Sequence, residues 1–267
     1  MDAKDSIVLP WLVESECGHE DADRVDCYSC ILHSADWNVG RCTWVGGSKN
    51  GRISMKNLLK GRGYKDRLFN PLDAIWDARL GVQTFGYHPE TGNPGDDDWR
   101  VHYTPTPYSD IFRLLKLINL NDDDTFIDFG CGMGRSVFAA SLMGAKRSIG
   151  VEIVPHLRDK AEENYRGSKL ANKNIEFVNE NADTYKADKA TVIFMFHPFG
   201  EPTLRRVIGN IERDRTSGST LRIIYINPIY DHVMAERSWL KQINHLPAPK
   251  SLPISAPRYE ASLWQSC

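Results

Sequence analysis

Two acids, Asp128 and Glu152, bracket a run of glycines, Gly130, Gly132 and Gly134. A carboxylate that closes an apolar run about 20 residues after a glycine loop is placed to accept hydrogen bonds from ribose hydroxyls. Glycines between the two let the chain turn sharply and let a ligand approach where a Cβ would otherwise stand. His197, in His197-Pro198-Phe199-Gly200, carries a different chemistry. An imidazole titrates near neutrality and can accept a hydrogen bond or a proton from a nucleophile. Phe199 beside it offers a face on which a planar substrate stacks. Asp183, in Asn181-Ala182-Asp183, is a third acidic candidate, whose plain alternative is a helix N-cap.

These residues need a scaffold, and the apolar pattern supplies one. Thr125–Phe129 (TFIDF) is β-branched and aromatic, as in a buried parallel strand. The glycine loop follows at once, then RSVFAASLMG in helical pattern with Gly144 as its stop. Lys146–Ile153 is expected as the second strand, Pro155–Leu170 as a helix, Asn174–Asn179 as the third strand and Ala190–Phe196 as a central one. Pro202–Arg213 is expected as a helix opened by proline, Ser219–Asn227 as a fifth strand, Asp231–Leu240 as a helix and Ala256–Trp264 as a last strand. Strands alternating with helices predict one doubly wound α/β sheet, with ligands at the carboxyl ends of its strands. A helix amino-terminus after the loop favours a ligand carboxylate or phosphate.

The loop spacing selects the ligand. The dinucleotide fingerprint is G-x-G-x-x-G. Here the third glycine comes one residue early, Arg135 stands where that fingerprint wants glycine, and Glu152 is a poor neighbour for a 2′-phosphate. With Asp128 two residues before the first glycine, the segment resembles motif I of the class I S-adenosylmethionine-dependent methyltransferases, over roughly Tyr103 to the carboxyl-terminus. The resemblance implies a Rossmann-like sheet of seven strands with the last antiparallel. It also implies S-adenosylmethionine as cofactor and S-adenosylhomocysteine as product. It assigns the cofactor to Asp128, Gly130, Cys131, Gly132, Gly134 and Glu152, with Asp183 on the adenine amino group and Ala182 against the ring. His197-Pro198-Phe199-Gly200 stands where amino-group methyltransferases carry Asn/Asp/Ser-Pro-Pro-aromatic, whose first side chain and proline carbonyl accept hydrogen bonds from the target amine. The first residue here is His, and the second proline is absent.

Upstream, Tyr103-Thr104-Pro105-Thr106-Pro107-Tyr108 precedes an amphipathic helix expected over Asp110–Leu120. Y-x-P-T-P before such a helix resembles a branch that includes Rossmann-type protein lysine methyltransferases, in which the segment lies over the cofactor's methionine end. Tyr103 is thereby a candidate catalytic residue beside His197. Thr104 and Thr106 are candidates for the cofactor, and Tyr108 with Phe199 for the substrate. A proline-rich extended linker is the structural alternative.

The remaining features bound the partner. The 267 residues carry a net charge of −2 with 41% hydrophobic residues, which leaves room for a large core and gives no support for nucleic-acid binding. A basic stretch (Lys56, Lys60, Arg62, Lys65, Arg67) reads as a solvated helix face. No apolar run reaches about 18 residues and no signal peptide opens the chain, so a soluble cytoplasmic protein away from membranes is expected. Of six cysteines, Cys17, Cys27, Cys30 and Cys42 cluster near His19 and His33. Cys27-x-x-Cys30 has a spacing zinc sites use, but no second such pair stands beside it. Ordinary thiols, and no metal, are expected. Residues 1–100 hold five of the seven tryptophans, Trp11, Trp37, Trp44, Trp76 and Trp99. They are expected as an amino-terminal extension capping the substrate pocket of a methyltransferase domain at 101–267. The neutral charge and aromatic extension point first to a small-molecule acceptor methylated on nitrogen or oxygen. A protein lysine comes next, then a nucleic-acid amino group, or a module that binds the cofactor without catalysis.

Overall fold

The computed structural model describes residues 71–86, 103–215, 218–248 and 259–267. All of them lie in the compact unit that spans 63–267. The cysteine–histidine cluster, the basic stretch, four of the five amino-terminal tryptophans and most of the expected cap lie outside the described residues.

Helix α1 (Pro71–Leu80) comes first, and α2 (Tyr108–Leu117) leads into the sheet. There follow β1 (Thr125–Phe129), α3 (Arg135–Leu142), β2 (Arg147–Glu152), α4 (Pro155–Gly167), β3 (Ile175–Asn179) and β4 (Val192–Phe196). The chain ends with α5 (Glu201–Asp214), β5 (Arg222–Ile226), the short α6 (His232–Ala235), β6 (Leu240–Leu246) and β7 (Ala261–Ser266). The seven strands pair in the order β3-β2-β1-β4-β5-β7-β6. β1 to β5 run parallel, and β7 lies antiparallel between β5 and β6. This is the doubly wound sheet with an antiparallel last strand that the sequence predicts.

Alternation along the strands builds two cores. Phe126, Val192, Phe194 and Ile224 face α2, α3 and α4 through Ile111, Leu115, Phe138 and Ala161. Ile127, Phe129, Ile193, Met195 and Ile223 face α5 and α6 through Leu204, Val207, Ile208 and Val233. A strand covered on both faces must be apolar on both, which is why β4 reads VIFMF. Burying each such side chain stabilises the fold by about 1.5–3 kcal/mol.

The carboxyl-terminal stretch departs from expectation. Only four residues of the helix expected over Asp231–Leu240 form, and Leu240–Leu246 instead becomes an edge strand. Asp231 caps the start of this short helix, its carbonyl accepting the Ala235 amide at 3.2 Å. Its carboxylate accepts hydrogen bonds from the Ser262 hydroxyl (2.6 Å) and the Trp264 indole (2.9 Å). β6 is polar and exposed along its centre, with an irregularity between Gln242 and Asn244, a pattern that protects a sheet edge from further pairing.

The strand order reverses between β1 and β4, β1 being followed by a strand on one side and flanked by β4 on the other. Open α/β sheets bind ligands outside the strand ends at such a switch point. Register places Phe129 beside both Val151 and Met195, so the glycine loop, Glu152 and His197 all emerge at this edge.

Candidate functional site

The glycine loop leaves β1 with the Gly130 and Cys131 amides donating to the Val151 carbonyl, at 2.8 and 3.2 Å. Gly132 has φ of 53°, a left-handed conformation that costs little only without a Cβ. A Cβ built there would stand 2.1 Å from Cε2 of Tyr103, so the tyrosine ring lies directly on this glycine. A Cβ on Gly130 would stand 2.8 Å from Cβ of Pro198. The loop after β1 is thus held between Tyr103 and the His197-Pro198-Phe199-Gly200 turn.

Glu152 closes β2 and is buried. Its Oε2 accepts the Gly132 amide at 2.8 Å and its Oε1 accepts the Val154 amide at 2.9 Å. Burial raises its pKa, and those amides counter the rise. A carboxylate oxygen has two lone pairs. Backbone amides fill only part of that capacity, so the group can also receive a hydroxyl and fits the 2′,3′-diol of a nucleoside. Asp128 lies behind the loop, fully buried, with the Ser136 hydroxyl donating to it. Burial pushes its pKa up to about 7 despite that hydrogen bond, with Glu152 adding to the rise. Cys131 is buried beside Gly150, and burial pushes its thiol pKa well up, so it remains a protonated wall residue.

Asp183 follows β3 in a loop that Tyr185 fixes edge-on against Phe129, with ring centroids 6.2 Å apart. Its Oδ2 accepts from Nε of Arg206 on α5 at 2.9 Å, and its carbonyl from Asn210 at 2.6 Å. Arg206 is a partner that sequence reasoning does not reveal. Ala182 packs partly buried against the α5 core.

At the end of β4, His197 has φ of 37°. A non-glycine residue held there signals a conformation the surroundings enforce, a feature that gathers at functional sites. Its Nδ1 lies 3.3 Å from the Tyr225 hydroxyl, and its ring 5.4 Å from that of Tyr230. Burial lowers its pKa, so the imidazole is neutral at physiological pH. Burial pushes Tyr225 up to about 12, so its hydroxyl stays protonated. Phe199 is half-buried on the α5 side of the same turn. Tyr225 and Tyr230 are additions to the predicted site, visible in the sequence only as aromatic residues around the end of the fifth strand.

The Tyr103–Tyr108 segment divides. Tyr103 covers the loop, but its hydroxyl donates to the Thr84 carbonyl at 2.8 Å and burial raises its pKa, which suits a wall better than a base. Thr104 is exposed, whereas Thr106 is buried with its carbonyl accepting from Arg135 at 3.3 Å. Tyr108 is fully buried behind the loop, its hydroxyl donating to Asp77 at 3.0 Å, so it does not present a substrate-facing surface. Among the described residues no group of three or more His, Cys, Asp or Glu side chains is arranged to hold a metal ion, and no helix is long and apolar enough to cross a membrane.

The comparisons agree with this geometry. The sequence model described as histone methylation protein DOT1 matches residues 101–211. A protein-lysine N-methyltransferase of Saccharolobus islandicus is 32% identical over 97 residues, covering 36% of this chain and 60% of the relative. A putative protein N5-glutamine methyltransferase of Methanocaldococcus jannaschii is 31% identical over 116 residues, 43% of this chain and 50% of the relative. The chain therefore spans roughly half to three-fifths of the curated relatives it matches. A putative methyltransferase of Escherichia coli superposes with a TM-score of 0.50 at 18% identity, over 68% of this chain and 98% of that one, and so shares the fold. A sheet ordered 3-2-1-4-5-7-6, with a glycine loop and an acid at its switch point, has the Rossmann-like fold of that neighbour, and the sequence matches are to methyltransferases.

Proposed function

We propose that this protein transfers a methyl group from S-adenosylmethionine to a side-chain nitrogen of a protein, with lysine as the acceptor. The observation that carries the acceptor class is His197, held in a strained backbone conformation at the end of β4, neutral, and set between Tyr225 and Tyr230. The protein-lysine methyltransferase among the relatives supports the choice of lysine. The small-molecule acceptor suggested by the sequence rests on the near-neutral charge and on the aromatic extension, most of which lies outside the described residues.

The cofactor supplies a methyl carbon already activated by its sulfonium. The chain's part is to hold, align and deprotonate. Glu152 receives the ribose hydroxyls, the backbone of Gly130 and Gly132 admits close approach, and the Ala182–Asp183 loop borders the adenine. A lysine arrives as an ammonium with an ordinary pKa of about 10.4, so its lone pair is free only after a proton leaves. Neutral His197 accepts that proton, the Tyr225 hydroxyl at its Nδ1 steadies the ring, and the flanking aromatic faces attract the cation before it is lost. The amine then forms its N–C bond as the S–C bond breaks. Alignment of this kind supplies about 7–11 kcal/mol of barrier lowering.

The test is transfer of radiolabelled methyl from S-adenosylmethionine in parallel to a protein lysate, a metabolite extract and RNA. Acid hydrolysis of the labelled protein should return methyl-lysine. Label confined to small molecules or RNA would overturn the acceptor assignment.

A further inference from the structure

Directly after the glycine loop, at the first position of α3, stands a buried arginine. The guanidinium of Arg135 is 3% exposed. A cation is an unfavourable choice at the positive end of a helix, and its desolvation is costly unless it is paired and fully hydrogen-bonded. Arg135 is both. Its Nη1 reaches Asp73 at 3.0 Å and the Thr106 carbonyl at 3.3 Å. Its Nε donates to the Thr84 hydroxyl at 2.8 Å and Nη2 to the Thr84 carbonyl at 3.4 Å, and the plane lies 5.0 Å from the Tyr108 ring centre. One side chain therefore ties α1, the 82–86 segment and the 103–108 segment to the loop.

The network has a direction. Asp77 accepts the Thr84 amide (2.8 Å), the Thr84 hydroxyl (2.7 Å) and the Tyr108 hydroxyl (3.0 Å), which fixes Thr84. The Thr84 carbonyl accepts the Tyr103 hydroxyl. The Tyr103 ring lies on Gly132, and the Gly132 amide donates to Glu152. A continuous path of contacts runs from Arg135 to the carboxylate assigned to the ribose.

We propose that Arg135 is a positioning residue for cofactor binding, acting through Thr84, Tyr103 and Gly132 on the orientation of Glu152. This rests on the assignment of Glu152 to the nucleoside. Lysine keeps the charge but loses the planar fork that serves Asp73, Thr84 and Thr106 together. Arg135→Lys is expected to weaken S-adenosylhomocysteine binding about tenfold by calorimetry, in protein shown to be folded by its thermal transition. Tyr103→Phe, which removes only the hydroxyl tether, is expected to weaken it about three- to tenfold. It also serves where Arg135→Lys fails to fold. A double-mutant cycle separates positioning from general support. In a Glu152→Gln background either substitution should change affinity less than about twofold. Wild-type affinity in the folded single variants, or full additivity with Glu152→Gln, would overturn the proposal while leaving the cofactor assignment standing. Failure of the wild-type protein to bind S-adenosylhomocysteine would overturn both.

Discussion

Gly132→Ala puts the site geometry to its sharpest test. The new methyl would stand 2.1 Å from Cε2 and 2.4 Å from Cδ2 of Tyr103, with the backbone at φ of 53°. Two costs follow, and they fall on different observables. Holding alanine in the left-handed region costs about 1–3 kcal/mol of folding stability, which is roughly 2–4 °C in Tm for each kcal/mol in a domain of this size class. The steric clash forces either Tyr103 or the loop to move. If the Gly132 amide turns away from Glu152, a hydrogen bond to a charged group worth about 1.5–3 kcal/mol is lost. The affinity for S-adenosylhomocysteine should then fall about 10- to 150-fold. Gly144→Ala is the control. Gly144 also has positive φ, 102°, but nothing lies within 4 Å of its built Cβ. It should lower Tm for the same reason and leave affinity unchanged. Calorimetric titration and a thermal melt on the two variants decide the matter. If Gly132→Ala binds S-adenosylhomocysteine as tightly as Gly144→Ala does, the Tyr103–Gly132–Glu152 geometry does not govern binding and the reasoning fails.

Three further outcomes are expected. Glu152→Ala should weaken cofactor binding by at least about tenfold, since it removes the acceptor of the Gly132 amide and the proposed acceptor of the diol; equal affinity by calorimetry would remove Glu152 from the ribose. His197→Ala should lower turnover by about 10²–10⁴-fold while leaving S-adenosylhomocysteine affinity nearly intact, and the acid limb attributable to His197 in the pH profile should lie below its ordinary 6.5 because burial lowers its pKa. Asp128 has a native pKa raised to about 7, so its contribution to stability is full below about pH 4 and is lost as pH rises through 7. Asp128→Asn should therefore flatten the fall of Tm between pH 4 and 8, and an unchanged slope would contradict its burial in the uncharged form.

What the sequence discloses depends on how far apart the interacting residues lie. β1, β4 and β5 are legible because each is apolar on both faces, β3 because it alternates, and the order loop, helix, strand, acid picks out Glu152 by local spacing alone. β6 is not, because a polar edge strand carries no periodic signal and only its pairing with β7, later in the chain, makes it a strand. The Arg135 network is hidden for the same reason. Its partners Asp73 and Thr84 stand 62 and 51 residues away, and only the odd presence of arginine after the glycines hints at them. Asp183 is legible as an acid after the third strand, but its pairing with Arg206 is a long-range contact between two elements.

The two buried carboxylates at the loop illustrate how environment separates like groups. Asp128 and Glu152 each raise the cost of charging the other, and both are desolvated. Their hydrogen bonds differ. Glu152 faces backbone amides, which can only donate and so favour the ionised form. Asp128 has the Ser136 hydroxyl, which can donate to a carboxylate or, with its proton turned, accept from a carboxylic acid. When the pair must hold a proton, the better host is Asp128. Glu152 then keeps the negative charge at the surface of the loop, where a ribose diol needs an acceptor. The division predicts that Asp128→Asn, which fixes the uncharged state, preserves cofactor affinity to within about threefold, whereas Glu152→Gln does not. Calorimetry on both variants at pH 6, below the Asp128 pKa of about 7, tests it, and equal losses would mean that both carboxylates serve the cofactor as anions.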